Sequence, residues 1–243
     1  MLIDGRTVYT PLFSGVHWDA HDVVMEDIDR IEVIRGPVSS LWGANAVNGV
    51  INVITKKTQD TEGFLVRAAA GSQEGHGAVR YGGKGGENMS YRIFARYSNR
   101  DSYVTAGGAP AFDAWDMFTG GFRMDWTKER DSFVLLGSAY DGKLETGLNN
   151  VTFEPPFTKV ELSENSTSGL NVLAGWSHSF GVGNDLVLQG YYDRYERDEP
   201  AFYVETRDTF DIDLQHGFVA GRHDVMWGGV IVTRRMISRR WAL

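Results

Sequence analysis

The chain has 243 residues, a formal net charge of −8 and no cysteine. Those values exclude disulfide staples and thiolate metal centres, and an acidic body argues against nucleic-acid binding through phosphate contacts. Twenty-nine glycines and 12% aromatics beside six prolines suit many strands and turns rather than a helical protein. Mean hydropathy is −0.28, and nothing reaches the roughly 18 consecutive apolar residues of a membrane helix. Transmembrane β-strands alternate apolar and polar residues and average to neutral, so hydropathy does not separate a soluble protein from a barrel.

Residues 1–60 mix short apolar runs with turn chemistry. His17-Trp18-Asp19-Ala20-His21 places two imidazoles at i and i+4, as a helical metal pair does. No Glu stands beside His17, and Pro11 and Gly15 favour a loop, so no metal site is expected. Next comes Ile28-Asp29-Arg30-Ile31-Glu32-Val33, an expected strand, then Arg35-Gly36-Pro37, a turn. Leu41-Trp42-Gly43 reads as an elbow, and Gly49-Val50-Ile51-Asn52 as a second strand. Gly36, Gly43 and Gly49 are read as conformational glycines that shape turns and bind nothing. The polar stretch 56–63 makes a natural junction.

This block closely resembles the plug domain of TonB-dependent outer-membrane receptors. The resemblance is strong over residues 2 to about 57 and rests on architecture beyond them. It implies an all-β-dominated fold: a mixed α+β plug over residues 1–60, then part of a large antiparallel transmembrane β-barrel over 61–234. Residues 235–243 form an atypical basic tail. It also implies that Arg30, Glu32 and Arg35, on or beside the plug strand, pair with carboxylates or arginines of the barrel wall. Such buried pairs fix geometry more than they stabilise. In that family the segment opening this chain lies inside the plug, so the start is expected to be internal, with the signal peptide and energy-coupling motif missing.

From residue 63 onward, period-2 alternation predicts nine strands, near 63–71, 76–82, 90–100, 118–127, 131–140, 168–180, 185–197, 207–216 and 224–234. Phe118, Gly120, Phe122, Met124 and Trp126 share one face; Thr119, Gly121, Arg123 and Asp125 share the other. A soluble β-sandwich and a membrane barrel both produce this pattern. Strand length favours the barrel, whose strands need roughly 9–11 residues against roughly 5–6 in globular sheets. Loop parity favours it too: long connections are expected at 101–117, 141–167 and 198–206, and tight ones at 128–130 and 181–184, with short turns on the periplasmic rim. Trp115, Phe118, Trp126, Tyr140, Trp176, Phe180 and Tyr203 gather near strand ends, as interfacial girdles do. Nine strands fall short of the roughly 22 of a plugged transporter. Val230–Thr233 suits a strand, whereas the arginine-rich run from Arg234 does not suit a lipid-facing one.

The other motifs carry little chemistry. Asp193, Glu196, Asp198 and Glu199, like Glu161 and Glu164, lack calcium-loop spacing and read as solvated loop charge. Asn165-Ser166-Thr167 is a sequon of a kind common by chance. Gly82-Gly83-Lys84-Gly85-Gly86 lacks the Ser or Thr and the helix of a phosphate loop. No nucleophile–base arrangement can be argued, so no enzyme, cofactor or metal is expected. The resemblance implies uptake of a scarce nutrient complex, iron–siderophore or cobalamin, at the cell outer membrane. The partners it implies are outer-membrane lipid, a small nutrient–metal complex and a TonB-type energy-transducing protein. Two alternatives stay open: a soluble or surface β-rich binding protein such as an adhesin, and a non-functional product of a truncated receptor gene.

Overall fold

The computed structural model describes residues 1–21, 23–36, 48–155 and 157–239. Its first 55 residues build a four-stranded sheet from β1 (Leu2–Ile3), β2 (Arg6–Thr7), β3 (Ile28–Arg35) and β4 (Gly49–Thr55), in the order β2-β1-β4-β3. Asp4 and Gly5, both at positive φ, turn β1 into β2, as the tight hairpin geometry requires. β4 is central and rich in β-branched residues, which suit a pleated surface packed on both sides. Its Val50, Asn52, Val53 and Thr55 are buried. The Asp4 carboxylate accepts from the Thr55 backbone N–H and hydroxyl, each at 2.8 Å, and closes the sheet.

Among the described residues between β2 and β3, a Thr10–Gly15 bridge closes one turn and the helical pieces are 3₁₀, at Trp18–Ala20 and Met25–Asp27; a third 3₁₀ turn, Thr58–Thr61, follows β4. The α component expected of this region is not found among the described residues. Pro11 and Gly15 interrupt the segment, and the pieces between them are too short to repay helix nucleation.

Nine long strands follow: β5 (Gly63–Ala70), β6 (Glu74–Lys84), β7 (Met89–Arg100), β8 (Trp115–Lys128), β9 (Asp131–Val151), β10 (Thr158–Gly181), β11 (Asn184–Glu199), β12 (Tyr203–Ala220) and β13 (His223–Arg239). They pair antiparallel in sequence order, leaving β5 and β13 as edges. All nine expected strands are present, but several run longer than the alternation suggested. The connection expected at 141–167 is mostly hairpin, because β9 and β10 stay in register from His178↔Asp131 out to Thr158↔Val151. The one expected at 198–206 shrinks to 200–202 in the same way. Backbone ladder bonds satisfy polar segments such as Glu161–Glu164 as strand, which side-chain pattern alone does not report. Rim asymmetry persists: 71–73, 101–114, 152–157 and 200–202 lie at one end, and 85–88, 129–130, 182–183 and 221–222 at the other.

The basic stretch also departs from expectation. β13 continues as strand through Arg234 and Arg235, with Arg234 opposite Thr209 and Arg239 opposite Val204. β12 extends that far and templates the backbone, whatever the side chains prefer. Residues 240–243 lie outside the described part.

The two faces of the wall decide what kind of sheet this is. The face away from the plug exposes apolar side chains, among them Ile93 (54%), Phe118, Phe122, Val172, Phe210 (55%) and Ile212. The plug-facing side buries mainly polar residues, Arg92 (3%), Thr119, Asn171, Asp193, Glu205 (0%), Arg207 and Thr209, beside a few apolar ones, Met117 and Leu173 among them. A soluble sandwich buries its apolar face; this sheet does the reverse, as a membrane barrel wall does.

Candidate functional site

The candidate site is the interface between plug and wall, where charged groups meet out of water. Three plug acids lead it. Asp27, on the second 3₁₀ turn, is buried and takes the Arg80 guanidinium of β6, with Arg92 Nε of β7 at 3.5 Å. Glu26 beside it pairs with Arg67 of β5. Asp4 lies 3.6 Å from Arg123 of β8, which also forks onto Asp125 at 2.9 Å and donates to Thr55 Oγ1 at 3.0 Å. The backbone joins in: Arg92 donates to the Lys56 carbonyl at 2.6 Å and Arg96 to the Val23 carbonyl at 2.7 Å. At the junction, Asp125 accepts from the Thr58 N–H at 2.8 Å, and the Thr58 and Ser90 hydroxyls bond at 2.6 Å.

On the opposite flank the pairs run in both senses. Arg6 of β2 pairs with Asp193 of β11, both nearly shielded from water. Asp19 accepts from Arg197 at 2.7 Å. His17 stacks on Tyr195 with ring centroids 5.2 Å apart and has Phe13 edge-on at 4.7 Å. Its Nε2 is 4.0 Å from Glu205 Oε2. Burial, reinforced by Arg197, lowers the His17 pKa to about 4; burial and Arg6 lower that of His21 to about 3. The two histidines therefore act as neutral packing groups.

The residues expected to bridge plug and wall stand elsewhere. Arg30 bonds Glu32 at 2.8 Å and Asp29 at 2.7 Å within its own exposed strand, and Glu32 accepts from Asn52 at 3.4 Å. Arg35 is exposed at the end of β3. β3 is the outer strand of the plug sheet, which places these three away from β5–β13. Gly36 and Gly49 do hold conformations that suit glycine, at φ +104° and +146°. A Cβ on Gly49 would lie 2.4 Å from the Ile34 carbonyl oxygen. Gly43 and the elbow around it lie outside the described residues.

The groups that actually bridge, Asp4, Arg6, Asp19, Glu26 and Asp27, were not singled out from the sequence. Asp193, expected as solvated loop charge, is instead a buried partner of Arg6 inside a strand. A signal for the wall side was present: Arg92, Arg96, Ser90 and Ser98 share one strand face, and Arg123 and Asp125 share another.

Residues 1–50 match the family described as TonB-dependent Receptor Plug Domain. The match to a TonB-dependent receptor plug thus covers the first 50 residues, and the strands of the wall follow it. The chain is 31% identical over 138 residues to the ferric enterobactin receptor of Pseudomonas aeruginosa, covering 49% of this chain and 17% of that protein. To the "Probable TonB-dependent siderophore receptor PirA" of Acinetobacter baumannii it is 30% identical over 181 residues, covering 61% of this chain and 24% of that one. The chain thus spans less than a quarter of the length of these two curated relatives. Among solved structures, the siderophore receptor PiuA from Acinetobacter baumannii superposes with a TM-score of 0.73 at 13% identity, over 98% of this chain and 38% of that one. At that identity the likeness speaks for the fold alone, and the fold is plug and partial barrel.

Proposed function

We propose that this plug and wall serve an outer-membrane receptor that takes up a scarce nutrient complex, of the iron–siderophore or cobalamin kind, by an energy-coupled route. One observation carries the reading: a plug docked through charge pairs onto the polar face of a sheet whose other face is apolar. Such an interface holds a plug in place, yet yields to a pull, because buried ion pairs add little net stability to the geometry they fix. Residues 1–60 act as the plug, and the wall begins at residue 61. Arg30, Glu32 and Arg35 then face the strands that complete the ring, since β3 looks away from the arc that β5–β13 provide. Outer-membrane lipid covers the apolar face, and a TonB-type protein supplies the pull. The reading includes no catalysis.

Deleting the gene should cut energised uptake of labelled iron–siderophore or labelled cobalamin, and collapsing the proton gradient should cut it equally. Unchanged uptake of both in the deletion strain would overturn the reading.

A further inference from the structure

At the short-turn end, the outward face of the wall carries aromatic and apolar side chains, Tyr91, Trp126, Phe133, Leu186 and Phe218 among them. They suit the interfacial girdle of a barrel. One place departs from this. Lys128 of β8, Asp131 of β9 and His178 of β10 are successive cross-strand partners on that face, with Trp176 and Phe180 two residues to either side of His178.

The group is held in a definite arrangement. Asp131 Oδ1 accepts from the Trp176 indole N–H at 3.0 Å and lies 2.8 Å from His178 Nδ1. That contact puts the proton of the neutral imidazole on Nδ1, and Phe180 packs against the ring with centroids 4.5 Å apart. His178 Nε2 and Asp131 Oδ2 remain as acceptors, with no partner among the described residues. Donors stand beside them. Lys128 is exposed, and Arg130, exposed in the turn, donates one N–H to the Phe180 carbonyl at 3.3 Å.

Wall building does not require this set. A carboxylate on the lipid side costs some stability, and the backbone ladder there is complete without it. His216, on β12, shows the contrast. Its Nδ1 accepts from the Trp227 indole N–H at 3.1 Å and its Nε2 lies 3.0 Å from Asn184 Oδ1, so both ring nitrogens are taken within the wall.

Two cations beside two open acceptors, at the level where membrane meets water, complement a zwitterion: a phosphate that carries a primary ammonium. We propose that Lys128, Arg130, Asp131 and His178 seat the headgroup of such a phospholipid in the periplasmic leaflet. Its phosphate lies against Lys128 and Arg130, and its ammonium donates to Asp131 and to His178 Nε2. Trp176 and Phe180 flank the glycerol region, as interfacial aromatics do. The proposal rests on the outer-membrane reading above and names the headgroup class of the lipid that covers this part of the wall.

The full chain in neutral detergent micelles is titrated with short-chain phosphatidylethanolamine, and retained lipid is counted by native mass spectrometry. Phosphatidylcholine, with the same phosphate but no ammonium N–H, and phosphatidylglycerol, with no ammonium, are the comparison lipids. Phosphatidylethanolamine should be retained about fivefold better than either, the scale of an exposed ion pair. Asp131→Asn and His178→Phe should each reduce that preference, and together remove it. Lys128→Gln should weaken phosphatidylethanolamine and phosphatidylcholine alike, while His216→Phe should change nothing. The readout is a ratio between lipids, which misfolding does not shift because it lowers all three together. Equal retention of the three lipids overturns the seat, as does stronger retention of phosphatidylglycerol or a preference that survives the Asp131→Asn, His178→Phe double variant. Loss of the preference in His216→Phe overturns it too, since any change in the girdle would then suffice. The measurement involves no uptake, so its failure leaves the uptake reading standing, and unchanged uptake in the deletion strain leaves the seat to be judged by lipid retention.

Discussion

Asp193 shows how a single charge is used here. Its carboxylate faces Arg6 across the plug–wall boundary, and both side chains are nearly shielded from water. Removing one partner leaves the other buried and uncompensated, which costs about 3–5 kcal/mol. Asp193→Ala should therefore lower the urea concentration at which plug residues become open to protease, while a double Arg6→Met, Asp193→Leu variant should recover much of the loss. His17 and His21 set a pH dependence. Their docked pKa values, about 4 and about 3, lie below the ordinary imidazole value of 6.5. Above pH 6.5 both are neutral docked or free, and the docking energy is fully present. As pH falls from 6.5 toward 4, the free plug takes up protons that the docked plug refuses, so docking weakens by at most about 1.4 kcal/mol per pH unit for each imidazole. The urea midpoint of plug release should fall over that window, and His17→Phe should flatten part of the slope.

Elements behave according to which of their faces meets the plug. β12 carries Glu205, Arg207 and Thr209 inward and Phe210 and Ile212 outward, so neighbouring positions have opposite tolerances. Ile212→Arg puts a charge on the lipid-facing side, which costs about 2–4 kcal/mol near the bilayer midplane. The same substitution at Gln215, exposed on the inward face beside Asp213, meets water and a carboxylate and should cost much less. Folding yield into lipid vesicles, read by protease protection, separates the two; equal yields would sink the assignment of faces. The β9–β10 hairpin teaches a related lesson. Its outer part has the polar composition of a loop and is nonetheless strand, because each half offers the other a complete backbone ladder.

At the scale of the molecule, β5 and β13 present unpaired strand edges beside an uncovered apolar face. Unpaired backbone in lipid costs several kcal/mol per group, and open edges in water invite sheet-to-sheet association. Without detergent, the isolated 243-residue chain should aggregate; in detergent it should disperse. Size-exclusion chromatography checks this, and a monodisperse detergent-free monomer would contradict the wall's orientation. The interface charges follow a similar division: basic wall against acidic plug around β5–β8, and pairs of both senses at β11, Arg6 with Asp193 and Asp19 with Arg197. Such opposed patches fix the seating of the plug, since a rotated plug would bring like charges together.

The plug signature from Ile28 to Asn52, the nine alternating segments and the unequal rims were all legible in the chain, because period, turn chemistry and strand length are local properties. Direction was not. Alternation says that one face is apolar, but only packing against the plug shows that the apolar face looks outward. The pairs Asp27–Arg80, Arg6–Asp193 and Asp19–Arg197 join residues far apart in sequence, and no spacing rule reaches across such gaps. Strand ends at Val151, Thr158 and Arg239 depended on neighbouring strands that supply hydrogen bonds, so the side chains alone understated them. Local chemistry thus set the plug signature and the number of strands, whereas the wall's facing, the ion-pair partners and the strand lengths were decided in three dimensions, where backbone pairing and burial act between distant residues.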